Sequence, residues 1–334
     1  MDTLNDKPFI SVILPVKNAE RFLPQCLESL NNLNYPKEKY EVIVSDSDST
    51  DRTQEIAISL GAKLVIADGP SVCAARNSGF KVARGEIIAF SDADCVMDKD
   101  WLLNAVKYFT EPTLACVGGP SLIPEDETPF GKAAGFIFSY PLFTGGSSYG
   151  RNFSRITEVK HNPGCNAIYR RSVLEKVMPV DERFFEGEDV VMNKKIRDLG
   201  YRFLFTPDTK VWHYRSSTPK RFFRQNFRYA KGRVLMWRES GKLINPLHII
   251  SGFALPLMLA ALVFSLLVSI KILIILLFLG MGFLGIFFLL GWFKTKSFKV
   301  ALNVPGAIIF LLIPWSLGFM KEFFFPTPIK VRQK

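Results

Sequence analysis

Glu86-Ile-Ile-Ala-Phe90 is a short apolar run that passes through Ser91 directly into Asp92-Ala93-Asp94. Its length and branched side chains read as a buried strand, with two acids where that strand would end. Three similar runs precede it. Phe9-Ile-Ser-Val-Ile-Leu14 is closed by Pro15, Glu41-Val-Ile-Val44 follows, and residues 62–67 supply the third. Between them lie helical patterns. Residues 21–33 carry apolar side chains at 22, 23, 27 and 30, residues 51–60 are stopped by Gly61, and residues 71–83 end at Arg84-Gly85. Strands alternating with helices at this spacing imply an α/β fold with a doubly wound, mainly parallel sheet and right-handed crossovers. Ligands of such sheets bind beyond the carboxyl ends of the strands. Lys17-Asn18, Asp46-Ser-Asp48 and Asp92-Ala-Asp94 follow strands one, two and four, so all three should reach one crevice.

Further along, residues 120–164 are irregular and rich in Gly, Ser and Pro. They read either as a mobile acceptor-side loop or as a surface excursion. Order resumes at 166–170 and 172–177. Residues 186–199 read as an acidic turn leading into a helix, and 201–205 as another strand.

The chain has 334 residues, more than one typical domain, and its apolar residues are unevenly spread. Between residues 243 and 293 the only charged side chain is Lys271. Three apolar segments follow that boundary, at 246–270, 272–293 and 300–320. Each is long enough for a bilayer core, which takes ~20 residues per helical span. The first two nearly touch at Lys271, which requires a tight hairpin. Lys294, Lys296 and Lys299 suggest a return to the cytoplasm. Pro305 and Pro314 would allow the third segment to be re-entrant, and its topology stays open.

Net charge is +11, and ten Lys or Arg against one acid, Glu239, fall between Lys210 and Asn245. A basic block beside a membrane segment marks the cytoplasmic side and attracts anionic lipid, which argues against nucleic acid as the partner. Within the block, Phe223, Phe227, Ala230, Val234 and Trp237 form one apolar stripe at helical spacing. Arg221, Arg224, Arg228, Lys231 and Arg238 lie largely off it. This reads as a basic helix lying in the membrane interface, the alternative being a helix packed on the domain. The five cysteines show no CxxC pairing and read as reduced thiols. Residues 1–8 are polar, so the catalytic part is expected to stay in the cytoplasm of a multi-pass cell-membrane protein inserted by its C-terminal segments.

Several residues suit chemistry. Two carboxylates one residue apart at a strand end, Asp92 and Asp94, can hold Mn²⁺ or Mg²⁺ together with substrate phosphates. Asp46 can accept hydrogen bonds from a base or ribose, although a turn or helix cap also explains an acid there, with Ser49-Thr50-Asp51 suited to capping. Glu188-Asp189 opens a helix, where the dipole favours acids, and a general base is the functional reading. His213 is either a further metal or phosphate contact or a packed strand-end residue. GxxxxGK[ST] and HExxH do not occur.

In order, these motifs resemble family 2 of the GT-A glycosyltransferases. Ser11-Val-Ile-Leu-Pro15-Val-Lys17-Asn18 looks like the family's opening strand and base-binding turn. It has Lys17 where an aromatic is common and Ala19 where Glu is common. Val44-Ser-Asp46-Ser-Asp48 is similar to its nucleoside motif. Ala75-Arg76-Asn77-Ser-Gly79 and the run from Ala83 to Asp94 look like the approach to its metal motif, the DXD. Gly187-Glu188-Asp189 matches its acceptor-side motif, whose Asp acts as base. Gln225-Asn-Phe-Arg228-Tyr229 resembles the Gln-x-x-Arg-Trp motif of polysaccharide synthases, with Tyr for Trp. The C-terminal part looks most like the succinoglycan-biosynthesis subgroup.

The resemblance implies a GT-A domain over residues 1–215 followed by transmembrane helices. It implies inverting, metal-dependent transfer from a nucleotide sugar, a UDP-sugar as first reading, to a polyprenyl-linked acceptor or growing glycan at the membrane lipid. Pro15, Lys17, Asp46, Arg76 and Asp92 would bind the nucleotide, and Asp94 the metal, with Asp92 and His213 contributing. Asp189 would be the base, and Glu188, Gln225, Arg228 and Tyr229 would lie near the acceptor or diphosphate. The remaining divisions are a basic interfacial helix at 216–242, a transmembrane region at 243–320 and a basic tail at 321–334. The alternatives are a polyprenyl-phosphate sugar synthase, or a non-catalytic membrane receptor or scaffold with a nucleotide-binding domain.

Overall fold

The computed structural model describes residues 7–148, 150, 152–184, 186–214 and 217–328. Arg215, at the expected domain boundary, and the tail cations Lys330, Arg332 and Lys334 lie outside the described residues. The chain forms two compact units. One comprises Met1–Pro124 with Ser147–Tyr214, the other Glu125–Gly146 with Arg215–Lys334.

In the first unit, β1 (Ile10–Val16), β2 (Tyr40–Asp46), β3 (Lys63–Ile66) and β4 (Ile87–Ser91) lie parallel in the order β3-β2-β1-β4. The helices α1 (Leu23–Asn31), α2 (Thr53–Ser59) and α3 (Val72–Val82) connect them as the alternating pattern requires. β5 (Cys95–Met97), α4 (Trp101–Val106), β6 (Leu114–Gly118) and β7 (Ser121–Leu122) follow.

The mixed half of the sheet comes from later sequence. β9 (Asn166–Arg170) runs antiparallel between β4 and β6, β10 (Arg202–Phe205) is parallel to β6, and β8 (Thr157–Glu158) closes the edge. β11 (Val211–His213) pairs with β5 and β7 in a second, three-stranded sheet. The core is the two faces of the large sheet. Val12 and Leu14 are buried on one with Leu27, Leu30 and Trp101, and Ile13 and Phe90 on the other with Cys73 and Tyr169. All five cysteines are buried and unbridged. Segment 171–177 forms only the short α7 (Arg171–Leu174), and residues 188–198 form α8 (Glu188–Asp198).

Residues 120–164 depart from the expected irregular stretch. They contain α5 (Pro129–Phe138) and α6 (Pro141–Thr144), both in the second unit rather than in a domain running from 1 to 215. Gly131 and Gly135 lower local helix propensity, which hid α5. It forms because Thr128 caps it, accepting from Gly131 N at 3.0 Å, Pro129 suits the first turn, and Phe130, Ala133, Ala134 and Ile137 are buried.

The second unit continues with α9 (Pro219–Ser240), the short α10 (Pro246–Gly252), α11 (Ala254–Val268), α12 (Ile270–Thr295) and α13 (Phe298–Phe324). α12 and α13 are each long and apolar enough to cross a membrane. α10 with α11, bent by 51°, would count as a third span if taken as one. Ser269 alone separates α11 from α12, and its hydroxyl accepts from Lys271 N at 3.3 Å at the start of α12. α13 runs unbroken through Pro305 and Pro314. Neighbouring helices line it (α5, α9 and α12 all pack there), and a helix so supported tolerates the backbone bonds that proline removes.

α9 buries Phe222, Asn226, Ala230 and Val234, a face turned by about one position from the expected stripe in its first half, since Phe223 and Phe227 are only half-buried. On α13, buried Glu322 faces Lys231 at 3.7 Å and Arg238 at 3.6 Å. Those cations therefore have a partner on a neighbouring helix.

Candidate active site

Parallel pairing of β1, β2 and β4 brings their carboxyl ends to one edge of the sheet. Two loops there are tied together. Asn18 and Asp48 adopt left-handed backbone, a conformation that short polar side chains tolerate. Asn18 N donates to Ser49 Oγ at 2.8 Å, and Thr50 N returns a bond of 2.8 Å to Asn18 Oδ1. Ala19 N reaches Thr53 Oγ1 at 2.7 Å, and Glu20 N reaches Asp51 Oδ2 at 3.2 Å.

Asp46 is fully buried at the end of β2. Its carboxylate accepts from Ser49 N at 3.0 Å, from Gln54 Nε2 at 2.7 Å and from the Ser49 hydroxyl. It therefore braces the turn. Arg52 precedes α2 without a capping side-chain bond, and Asp51 Oδ1 accepts from Thr53 N at 3.0 Å and from the Thr53 hydroxyl at the start of the helix. Pro15 lies in β1 opposite Ser45, and Lys17 is exposed just beyond.

Asp92 and Asp94 occupy the turn between β4 and β5, which Cys95 N closes by donating to Asp92 O at 3.1 Å. The two acids face different partners. Asp94 meets His213, with Nε2 at 3.2 Å from Oδ1, because β11 pairs antiparallel with β5 and sets His213 opposite Cys95. The ligand atoms of Asp94, Cys95 and His213 lie within 4.8 Å of one another, close enough to share one ion. A carboxylate and an imidazole suit Mn²⁺, and the carboxylate suits Mg²⁺. Burial works to lower the His213 pKa, but Asp94 and Cys165 outweigh it and hold it well above the ordinary value. A proton on His213 therefore answers the Asp94 charge, and a divalent cation bound by the neutral ring would take the place of that proton.

Asp92 turns instead toward Arg76, 3.6 Å away. Arg76 rises from α3, fully buried, and its other nitrogen contacts Glu188 directly. One guanidinium therefore links the Asp92 turn to the start of α8. Gly187, at φ +102°, caps that helix in a conformation that costs glycine nothing, and so turns Glu188 inward. Burial pushes Asp92 up to about 7 against the pull of Arg76, with Cys165 and Asp94 adding to the rise. Burial also pushes Glu188 up to about 7, again against Arg76, with Asp189 adding.

Asp189 behaves differently. Burial would raise it, but His161, Arg76 and the backbone N–H groups of Gly164 and Val190 hold it below the ordinary carboxylate value. Gly164 N donates to Oδ2 at 2.9 Å and Val190 N to Oδ1 at 2.8 Å, while His161 Nε2 stands 3.6 Å from Oδ2. A Cβ at Gly164 would stand 2.4 Å from Arg76 Nη2, so a larger residue there would have to displace the guanidinium.

The first unit thus gathers Arg76, Asp92, Asp94, Glu188, Asp189 and His213. Gln225, Arg228 and Tyr229 belong to α9 of the second unit, where Gln225 Nε2 donates to the Tyr229 hydroxyl at 3.0 Å. His161, Gly164 and Cys165 were not singled out from sequence. Gly164 beside Cys165, just ahead of a strand, was the available signal, and it carried no spacing rule.

The sheet, with an acidic turn at the end of its fourth strand, defines a GT-A fold. Residues 11–178, just over half of the chain, match the model of Glycosyl transferase family 2, and the chain belongs to that family. It is 29% identical over 249 residues to glycosyltransferase AglE of Haloferax volcanii, covering 69% of this chain and 74% of that one. It is 28% identical over 243 residues to a Methanococcus voltae enzyme, again covering 69% and 74%. That enzyme is named dolichyl N-acetyl-alpha-D-glucosaminyl phosphate 3-beta-D-2,3-diacetamido-2,3-dideoxy-beta-D-glucuronosyltransferase. Among solved structures, the mannosyltransferase PcManGT of Pyrobaculum calidifontis, in complex with GDP-Man and Mn²⁺, aligns with a TM-score of 0.63 at 22% identity. The alignment covers 92% of this chain and 88% of that one, a likeness of fold.

Proposed function

We propose that the chain transfers a sugar, with inversion, from a nucleoside diphosphate sugar to a lipid-linked saccharide at the membrane. A UDP-sugar is the first donor to try, and succinoglycan-type polysaccharide assembly the first setting. The observation that carries the reading is the Arg76 bridge, which joins the Asp92 turn to the helix that presents Asp189. Donor-side and acceptor-side acids thereby share one site. The lipid-linked acceptor is supported by the dolichyl-phosphate-linked acceptor in the name of the Methanococcus relative and by helices long enough to cross a membrane. We place the catalytic unit on the cytoplasmic face, because the basic run of α9 adjoins the apolar helices.

Asp94 and His213, with Asp92 next to them, would hold Mn²⁺ or Mg²⁺. When bound, the ion neutralises charge on the departing diphosphate. The tied loops after β1 and β2 form the nucleoside platform, with Pro15 and Lys17 at its lip. Asp46 holds that platform rigid, and it meets the nucleoside itself only where the Ser49 hydroxyl yields. Asp189, kept as an anion, takes the proton of the acceptor hydroxyl. The freed oxygen forms the bond to the anomeric carbon while the bond to the diphosphate oxygen breaks, and the electron pair leaves with the nucleoside diphosphate. Gln225, Arg228 and Tyr229 serve the acceptor or diphosphate.

Membranes carrying the protein are incubated with labelled nucleotide sugars, with Mn²⁺, Mg²⁺ or chelator, and the lipid fraction is counted. Label should move from one donor only, and only with metal. Asp189→Asn should lower transfer by about 10²–10⁴-fold, the usual share of a general base, with nucleotide binding intact. Full transfer by that variant would point to a phosphate acceptor, which needs no base, and nucleotide binding without any transfer to a non-catalytic receptor.

A further inference from the structure

His161 faces Asp189 in a state that can be assigned atom by atom. The amide of Asn193 is fixed by the backbone oxygen of Asn162, which can only accept, so the end that meets it is the nitrogen and the end that takes the Tyr169 hydroxyl, at 2.7 Å, is Oδ1. Asn193 Nδ2 is then the donor on the other side. It reaches Asn162 O at 3.0 Å and His161 Nδ1 at 2.7 Å. Nδ1 of His161 is therefore the acceptor, and the neutral ring carries its proton on Nε2. Nε2 is the atom turned to Asp189 Oδ2, 3.6 Å away, which is ion-pair range and a little longer than a hydrogen bond.

The chain of contacts runs from the buried core outward. Tyr169 and Asn193 are fully buried, while His161 and Asp189 keep 16% and 18% of their side chains accessible. An acceptor hydroxyl can therefore approach the outer pair, and the inner pair cannot be reached. Among the described residues, the other charged or titratable groups acting on Asp189 include Arg76, Glu188 and Tyr169. Of these, Arg76 is committed to Glu188 and Asp92. His161 is held toward Asp189 by its bond from Asn193.

We propose that His161 is a positioning residue for sugar transfer: oriented by Tyr169 and Asn193, it presents its Nε2 proton to Asp189 and keeps that carboxylate ionised and aimed at the acceptor. This rests on the reading of Asp189 as the base. His161 forms no bond to either sugar.

His161→Phe and His161→Gln in the full-length protein in detergent, with Asp189→Asn alongside, test the proposal. Gln reproduces the pattern of one acceptor toward Asn193 and one donor toward Asp189, while Phe supplies neither. His161→Phe should lower kcat by about 10–100-fold, the usual effect of losing an orienting partner, with donor KM unchanged. The acid limb of its kcat/KM profile should move to higher pH, because the Asp189 anion has lost a stabilising neighbour. His161→Gln should recover most of kcat. A fall in kcat with an unmoved acid limb and no recovery by Gln would mark His161 as merely structural and overturn the proposal. If Phe prevents folding, His161→Gln retaining near-normal kcat against an inactive His161→Ala supports it, and equal loss in both sinks it. Asp189→Asn separates the two layers. An active Asp189→Asn removes the base reading itself, whereas an inactive one beside an unaffected His161→Phe removes only the role of His161.

Discussion

Arg76 is the most constrained residue of the site, since it lies buried between Asp92 and Glu188. One guanidinium cannot fully balance two carboxylates taken out of water, so burial leaves Glu188 up at about 7. The stability consequence follows from proton linkage. The folded state binds a proton at Glu188 more tightly than the unfolded chain, whose ordinary value is 4.5. The stabilisation is complete below that value and is lost as pH rises through about 7. Thermal unfolding in detergent, without metal, should therefore show Tm falling between pH 5 and pH 8. Glu188→Gln should remove its share of that slope, on the order of 1–3 kcal/mol. Equal slopes in the two proteins would show that Glu188 stays ionised on Arg76 throughout. At this scale the sequence showed the acids but not their partners. Asp92, Asp94 and Asp189 stood at strand and helix ends, where position alone implies a role. His161, Gly164 and Asn193 acquire theirs only when α8 and the 161–165 loop fold together, and no local spacing records that pairing.

At the scale of elements, the four parallel strands and their helices were legible because each carries its own apolar run and stop signal. The antiparallel β9 was legible as an element, but not its place between β4 and β6, which is a long-range pairing. The membrane-side helices were legible in length, and their packing was not. α9 showed a stripe, yet the face it buries is chosen by α13, above all at Gly318. A Cβ at Gly318 would stand 2.3 Å from the Phe227 carbonyl oxygen, so only glycine lets the two backbones approach. Gly318→Ala must push α9 and α13 apart, and it should cost about 1–3 kcal/mol, as overpacking does. Gly306→Ala, on the same helix with open space around its Cβ, should be neutral or gain up to about 1 kcal/mol from helix propensity. Unfolding of the two variants in the same detergent checks the contrast. Equal effects would mean that the α9–α13 contact does not stabilise this unit.

For the whole molecule, the informative feature is the order in which the chain builds its two units. The first is interrupted after Pro124, the chain contributes Glu125–Gly146 to the second, and it returns at Ser147 to finish the first. α5 lies in that excursion, and its apolar face, including Phe130 and Ile137, is covered by partners that arrive only after residue 218. Phe130 meets Phe222 and Phe310 edge-on, and α13 packs along the helix. A fragment ending at Tyr214 would look like an intact catalytic domain by sequence, yet it would carry α5 stripped of its cover. Exposed apolar faces of that size drive association. The fragment should therefore sediment or elute as aggregate without detergent. The same fragment with residues 125–146 replaced by a flexible Gly/Ser linker of equal length should be monomeric in size-exclusion chromatography, since such a linker spans the gap without burying anything. If both fragments run as monomers, α5 does not depend on the C-terminal helices. If both aggregate, the first unit itself needs more of the second than this one excursion.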